Sequence, residues 1–99
     1  MEDITVQELK QRIDAQEKLN IIDVREEHEF DEFNIGATLI SLGELPDRLD
    51  EIEQFKDEEL IIHCRSGARS GRAKDFLEMQ GFTKVRNLLG GMLAWQVEN

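Results

Sequence analysis

Only one cysteine occurs among the 99 residues, and that scarcity excludes two architectures. A lone thiol forms no internal disulfide, and with no second Cys or His at metal-ligand spacing it argues against a structural zinc site. Long apolar runs are missing too, none approaching the ~20 residues that a membrane-spanning helix needs. Basic residues number 12 against 22 acids, giving a formal net charge of −10. Nucleic acid and anionic membrane surfaces both demand a cationic footprint, so neither is an expected partner. The chain has no repeats, no low-complexity stretch and no linker rich in Gly, Pro or Ser. Met1-Glu2-Asp3 is acidic, whereas a secretory signal starts basic and continues apolar. These observations lead to the expectation of one cytoplasmic domain spanning residues 1–99, with a free thiol and no metal or cofactor.

What is present is an alternation of short apolar runs and amphipathic segments. Thr5 with Glu8 three residues later has the form of a capping box, and Val6, Leu9 and Ile13 follow at helical spacing. Leu19 to Val24 reads as a strand, and so, more weakly, does Ala37 to Leu42. Leu45, Leu49 and Ile52 line one face of a second helix that tolerates Pro46 in its first turn. Leu60 to His63 is another short apolar run. Beyond Cys64, the residues Ala73, Phe76 and Leu77 mark a third helix that Gly81 can stop. Val85 to Leu88 is the last strand candidate, followed by Gly90-Gly91 and a terminal helix with Met92, Leu93 and Trp95. Strands alternating with helices imply an open α/β sheet with parallel pairing and helices on both faces. Ligands of such sheets bind beyond the carboxyl ends of the strands, where Cys64 falls.

Charge is unevenly distributed. Residues 1–59 hold 19 acids and 6 bases, while residues 60–99 hold 3 acids and 6 bases. No acid lies between Glu59 and Asp75, yet Arg65, Arg69, Arg72 and Lys74 do. A cationic stretch in an acidic protein points to a small anionic ligand, the plainer alternative being solvated charges on a helix face. The same stretch contains Cys64-Arg65-Ser66-Gly67-Ala68-Arg69-Ser70, set between an apolar strand and an amphipathic helix. A tight loop there curls backbone N–H groups around the sulfur, and the next helix adds the unpaired donors of its N-terminus. Such surroundings lower a thiol's pKa and supply the thiolate nucleophile. Gly67 permits a positive φ, Ser66 and Ser70 offer hydroxyls, and the arginines bring permanent charge. The alternative is a small buried Cys at a strand end.

This seven-residue loop closely resembles the active-site loop of single-domain bacterial rhodaneses. Other segments agree: Ile21-Ile22-Asp23-Val24-Arg25-Glu26 with Glu29-Phe30, then Gly36-Ala37 with Ile40 and Leu42, then Gly90-Gly91-Met92-Leu93-Ala94-Trp95. Together they cover nearly the whole chain. One departure is Phe33-Asn34-Ile35-Gly36-Ala37, which lacks a His and a Pro frequent in the family, and Ser41 replaces a frequent second Pro. The resemblance implies a rhodanese-like open parallel sheet of about five strands and a sulfurtransferase working in two half-reactions. The Cys64 thiolate takes the outer sulfur of a donor such as thiosulfate, and the resulting persulfide passes it to cyanide or a thiol. Ser66, Gly67, Ala68 and Ser70 would cradle the sulfur, and Arg65 and Arg69 would attract and orient the anionic donor.

Two rivals accompany this reading. A Cys-x5-Arg phosphatase has a longer loop, whereas here the arginine follows after four residues. A persulfide relay module would receive sulfur from a partner protein and turn over little free thiosulfate, with the acidic N-terminal portion as a docking surface. Other residues take structural readings. His63 falls on the strand face opposite Cys64 and is expected to pack. Asp23 and Arg25 share a face and are expected to pair. Trp95 and Phe82 are packing residues, His28 is exposed, and Glu26 to Glu32 is a solvated acidic face.

Overall fold

Four residues in a row, Leu60–His63, are fully buried because the strand they form is covered on both faces, which is why its sequence is apolar without alternation. The computed structural model describes residues 1–98. Its strands are β1 (Ile21–Asp23), β2 (Thr38–Leu39), β3 (Leu60–His63) and β4 (Val85–Asn87), arranged β2-β1-β3-β4 with every pair parallel. Ile62 stands beside Ile22 on one side and Asn87 on the other, so the strand ends of β1, β3 and β4 come level at one edge.

The two-residue period of β3 sorts its side chains into two layers. Leu60, Ile62 and Cys64 join a cluster with Leu45, Ile52, Ala73, Leu77 and Phe82, beneath helix α3 (Ala68–Met79) and the 3-10 segment Leu42–Glu51. Ile61 joins Ile4, Val6, Leu9, Leu88, Met92 and Trp95 on the opposite face, beneath α1 (Val6–Asp14) and α4 (Gly91–Glu98). Each fully buried Leu or Ile contributes about 1.5–3 kcal/mol of transfer free energy. The remaining helix, α2 (Glu27–Glu32), lies between β1 and β2.

Several expectations need revising. Among the described residues the sheet has four strands rather than about five; a further strand is reduced to a single parallel bridge, Ile4 to Leu88. Ile4 donates its N–H to Asn87 O and accepts from Leu89 N, but Thr5 then caps α1 and the helix ends the pairing. Only half of the capping box forms: Thr5 Oγ1 accepts from Glu8 N at 3.1 Å, while the Glu8 carboxylate turns to Arg86. Of residues 37–42, expected to be extended throughout, only Thr38 and Leu39 form the strand, although Ile40 N and Leu42 N still donate to Asp23 O and Val24 O. The helix expected around Leu45, Leu49 and Ile52 is 3-10, starts at Leu42 and is broken at Arg48, where φ is −122°. Pro46 in its middle has no N–H to donate. The acidic segment is helical in α2, closed by a reciprocal Glu26–Glu29 capping box, and presents Glu27, His28, Asp31 and Glu32 to solvent.

Candidate active site

Chain direction reverses sharply after His63, and what holds the turn is the start of α4. Met92 N donates to Cys64 O at 2.9 Å and Leu93 N to Arg65 O at 3.0 Å. The N–H and C=O of one peptide unit point in opposite directions, so anchoring the Arg65 carbonyl on α4 turns the Ser66 N–H inward. Such close approach requires glycine at position 91, where an added Cβ would lie 2.5 Å from Cys64 O and 2.6 Å from Arg65 O. Gly67 caps α3 with φ of 106°, a left-handed conformation that swings its own N–H to the sulfur.

The result is a thiol with convergent donors. Cys64 Sγ accepts from Gly67 N at 3.1 Å and Ser70 N at 3.3 Å, and Ser70 Oγ lies at 3.3 Å. Cys64 is 1% exposed and belongs to the α3-side core, yet its sulfur faces the amides rather than hydrocarbon. Burial pushes the thiol pKa up, but hydrogen bonds from the Ser70 hydroxyl, when its proton is turned to the sulfur, and from the Ser70, Gly67 and Ser66 amides outweigh it, and the net direction is downward. Ala68 opens α3, whose N-terminal partial positive charge also favours a thiolate.

The cationic stretch is less free than its sequence implies. Glu29 grips Arg69 at two points, Nη1–Oε1 2.6 Å and Nη2–Oε2 2.9 Å, and Asp3 holds Lys74 at 2.7 Å. Those acids lie far away in the chain and arrive through the fold. Arg65 is exposed and, among the described residues, its guanidinium makes no hydrogen bond or ion pair. It lines a cavity of about 120 Å3 with Arg25, Glu29, Met92 and Gln96. Ser66 lines a larger apolar groove of about 580 Å3 with Leu89, Leu93 and Val97.

Behind the loop lies a polar strut. Asp23 and Arg25 pair as expected, with Arg25 Nη2 2.8 Å from Asp23 Oδ2 and both side chains buried. Arg25 also donates to Phe33 O, and Ser41 Oγ donates to Arg25 O at 2.7 Å, so the serine that replaces a proline ties the next segment to this pair. His63 is buried on the face away from Cys64, and neither ring nitrogen has a hydrogen-bond partner among the described residues. Burial pushes its pKa down to about 4 despite nearby Asp23, so the ring is neutral at pH 7. Trp95 and Phe82 are buried in opposite core layers.

One polar residue beside the loop escaped the sequence reading. Asn87, at the end of β4, accepts from Ser70 Oγ at 2.5 Å and donates to Gly67 O at 3.1 Å. The available signal was an amide side chain near the end of the last strand candidate, Val85 to Leu88, just before Gly90-Gly91.

A parallel sheet with a cysteine-centred loop at the end of an inner strand, braced by a Gly-Gly helix start, defines a rhodanese-like domain. The description of that domain family matches residues 5–98, and the chain belongs to the family. It is 40% identical over 99 residues to YtwF of Bacillus subtilis (strain 168), whose name includes the word sulfurtransferase, covering 99% of this chain and 93% of that one. YrkF of the same organism, whose name includes sulfur carrier protein, is 40% identical over 94 residues; the match covers 94% of this chain but 50% of YrkF. The crystal structure of a rhodanese-like domain protein from Staphylococcus aureus superimposes with a TM-score of 0.85 at 36% identity, covering 96% of this chain and 91% of that one.

Proposed function

We propose that this protein is a cytoplasmic sulfurtransferase in which Cys64 carries sulfane sulfur as a persulfide. The observation that carries the reading is the convergence of the Gly67 and Ser70 amides on Cys64 Sγ, which favours an anionic sulfur. In the first half-reaction the Cys64 thiolate attacks the outer sulfur of a donor such as thiosulfate. A new S–S bond forms, the donor's S–S bond breaks, and sulfite leaves with the bonding electron pair. The Ser66, Gly67 and Ser70 amides stabilise the charge, Ala68 starts the helix that adds its dipole, and exposed Arg65 draws the anionic donor in. Arg69, neutralised by Glu29, serves chiefly to hold the loop. In the second half-reaction cyanide or a thiolate takes the outer sulfur and Cys64 returns as thiolate, a covalent cycle with ping-pong kinetics.

A second reading is favoured by the rim. Phe33, Leu89 and Leu93 are large apolar side chains left 37%, 47% and 43% exposed, and all line the hollows that also contain Arg65 or Ser66. A small dianion gains nothing from such surface, whereas a protein bearing the sulfur does. On this reading a relay protein is the donor or acceptor.

Intact mass spectrometry tests both. Thiosulfate is expected to add about one sulfur atom, removable by cyanide, and Cys64→Ser is expected to abolish the addition while keeping the fold. Loading by a cysteine desulfurase but not by thiosulfate selects the relay reading. No sulfur from either source, or full loading in Cys64→Ser, removes Cys64 from the chemistry.

A further inference from the structure

Ser70 Oγ lies 2.5 Å from Asn87 Oδ1 and 3.3 Å from Cys64 Sγ. A hydroxyl has one proton, so it serves one of these two acceptors at a time. The orientation of the Asn87 amide is not free: Nδ2 donates to Gly67 O at 3.1 Å, which leaves the proton-less Oδ1 turned to Ser70. Asn87 is itself pinned, because its backbone N–H donates to Asp3 Oδ1 and its carbonyl accepts from Ile4 N, and the residue is 9% exposed. The shorter contact takes the proton. In the thiol state this suits the cysteine, whose S–H donates to Oγ and completes a chain from sulfur through Ser70 to Asn87. An anionic sulfur instead meets an oxygen lone pair, unless the hydroxyl rotates away from Asn87.

We infer that Asn87 is a positioning residue that competes with Cys64 for the single Ser70 proton and so sets when the Ser70 hydroxyl stabilises the sulfur. The inference builds on the proposed use of Cys64 as sulfur carrier. Asn87 reaches the sulfur only through Ser70, and so acts on both half-reactions through one hydroxyl rotor. It disfavours the empty thiolate and so restrains its reaction with stray electrophiles.

The test is the pH profile of Cys64 alkylation by iodoacetamide, in the wild type and in Asn87→Leu, Ser70→Ala and the double variant. Asn87→Leu removes the competing acceptor at similar volume. It is expected to move the profile to lower pH, with alkylation at pH 7 about threefold to tenfold faster, the net worth of one ordinary hydrogen bond. In the Ser70→Ala background the same substitution is expected to have no such effect, because no proton is left to contest. Merely loosening the loop withdraws amide donors and moves the profile the other way. An unchanged or upward-shifted profile in Asn87→Leu, or the same downward shift without the Ser70 hydroxyl, overturns the inference. Should Asn87→Leu not fold, Asn87→Val removes the same acceptor without adding charge, and is expected to speed alkylation only where Ser70 is present; equal speeding in Ser70→Ala overturns the inference too. Alkylation needs no sulfur donor, so its result stands apart from the persulfide mass that tests the carrier role.

Discussion

Arg69 and Glu29, forty positions apart, meet in a two-point ion pair of 2.6 and 2.9 Å that ties the first turn of α3 to α2. Glu29 Oε1 also accepts from Glu26 N at 3.0 Å, so one carboxylate closes the α2 capping box and holds the loop arginine. The Arg69 hydrogen bond, working against burial, brings the Glu29 pKa down to about 2 from an ordinary 4.5. A depressed carboxylate stabilises the fold above pH 4.5, and that contribution is lost as pH falls toward 2. Glu29→Gln is expected to cost about 1–2 kcal/mol at pH 7, after discounting for partial exposure. Urea titrations at pH 7 and pH 3 check this: the difference between wild type and variant must shrink at the lower pH.

Gly91 sits where α4 and the loop touch. Gly91→Ala puts a methyl 2.5 Å from Cys64 O at a φ of +56°, against backbone atoms that have nowhere to move. The expected cost is about 3 kcal/mol or more, with sulfur transfer lost. Gly43→Ala is the control, since nothing lies within 4 Å of its added Cβ; it should change stability by roughly 0.5 kcal/mol or less. Equal losses in the two variants would show that the contact at Gly91 is unimportant.

His63 makes stability depend on pH in a second window. Its folded pKa is pushed down to about 4 by burial, against about 6.5 when exposed. Between those values the unfolded chain binds a proton that the native state refuses, so stability falls as pH drops from 6.5 to 4. The size is on the order of 3 kcal/mol. Denaturant midpoints at pH 7.5, 5.5 and 4.5 should show the decline, and His63→Gln should flatten it. A wild type as stable at pH 4.5 as at pH 7.5 contradicts this account.

Arg65 is the loop cation with its guanidinium unengaged among the described residues. If it steers an anionic donor, Arg65→Ala raises KM for thiosulfate about tenfold with a smaller change in kcat, and its effect weakens with added salt. Leu93→Ser is expected to do the reverse, impairing sulfur exchange with a protein partner while sparing thiosulfate. Steady-state assays with both donor types separate the two roles.

How legible the site was depended on how local its parts are. The Cys64–Ser70 loop could be read because a turn, a helix start and the lone cysteine lie within seven consecutive residues. The buried Asp23–Arg25 pair and the packed His63 followed from the two-residue period of a strand. Glu29 was placed in a solvated acidic face, because nothing in its neighbours announces that one carboxylate of α2 bends back to Arg69. Asn87 went unnoticed for the same reason, its two partners being 17 and 20 positions away. The 3-10 character of Leu42–Glu51 was hidden because apolar spacing does not distinguish a tight helix containing Pro46 from an α-helix.

By itself, the order of residues determined the alternating α/β plan, the parallel sheet and the cysteine-centred loop, since periodicity, glycine placement and a short loop are written along the chain. Only the tertiary structure decided which charges remain available, which proton Ser70 can offer, and that a fifth strand shrinks to one bridge. Ion pairs and shared protons depend on distances between segments far apart in sequence, and those distances exist only once the layers have packed.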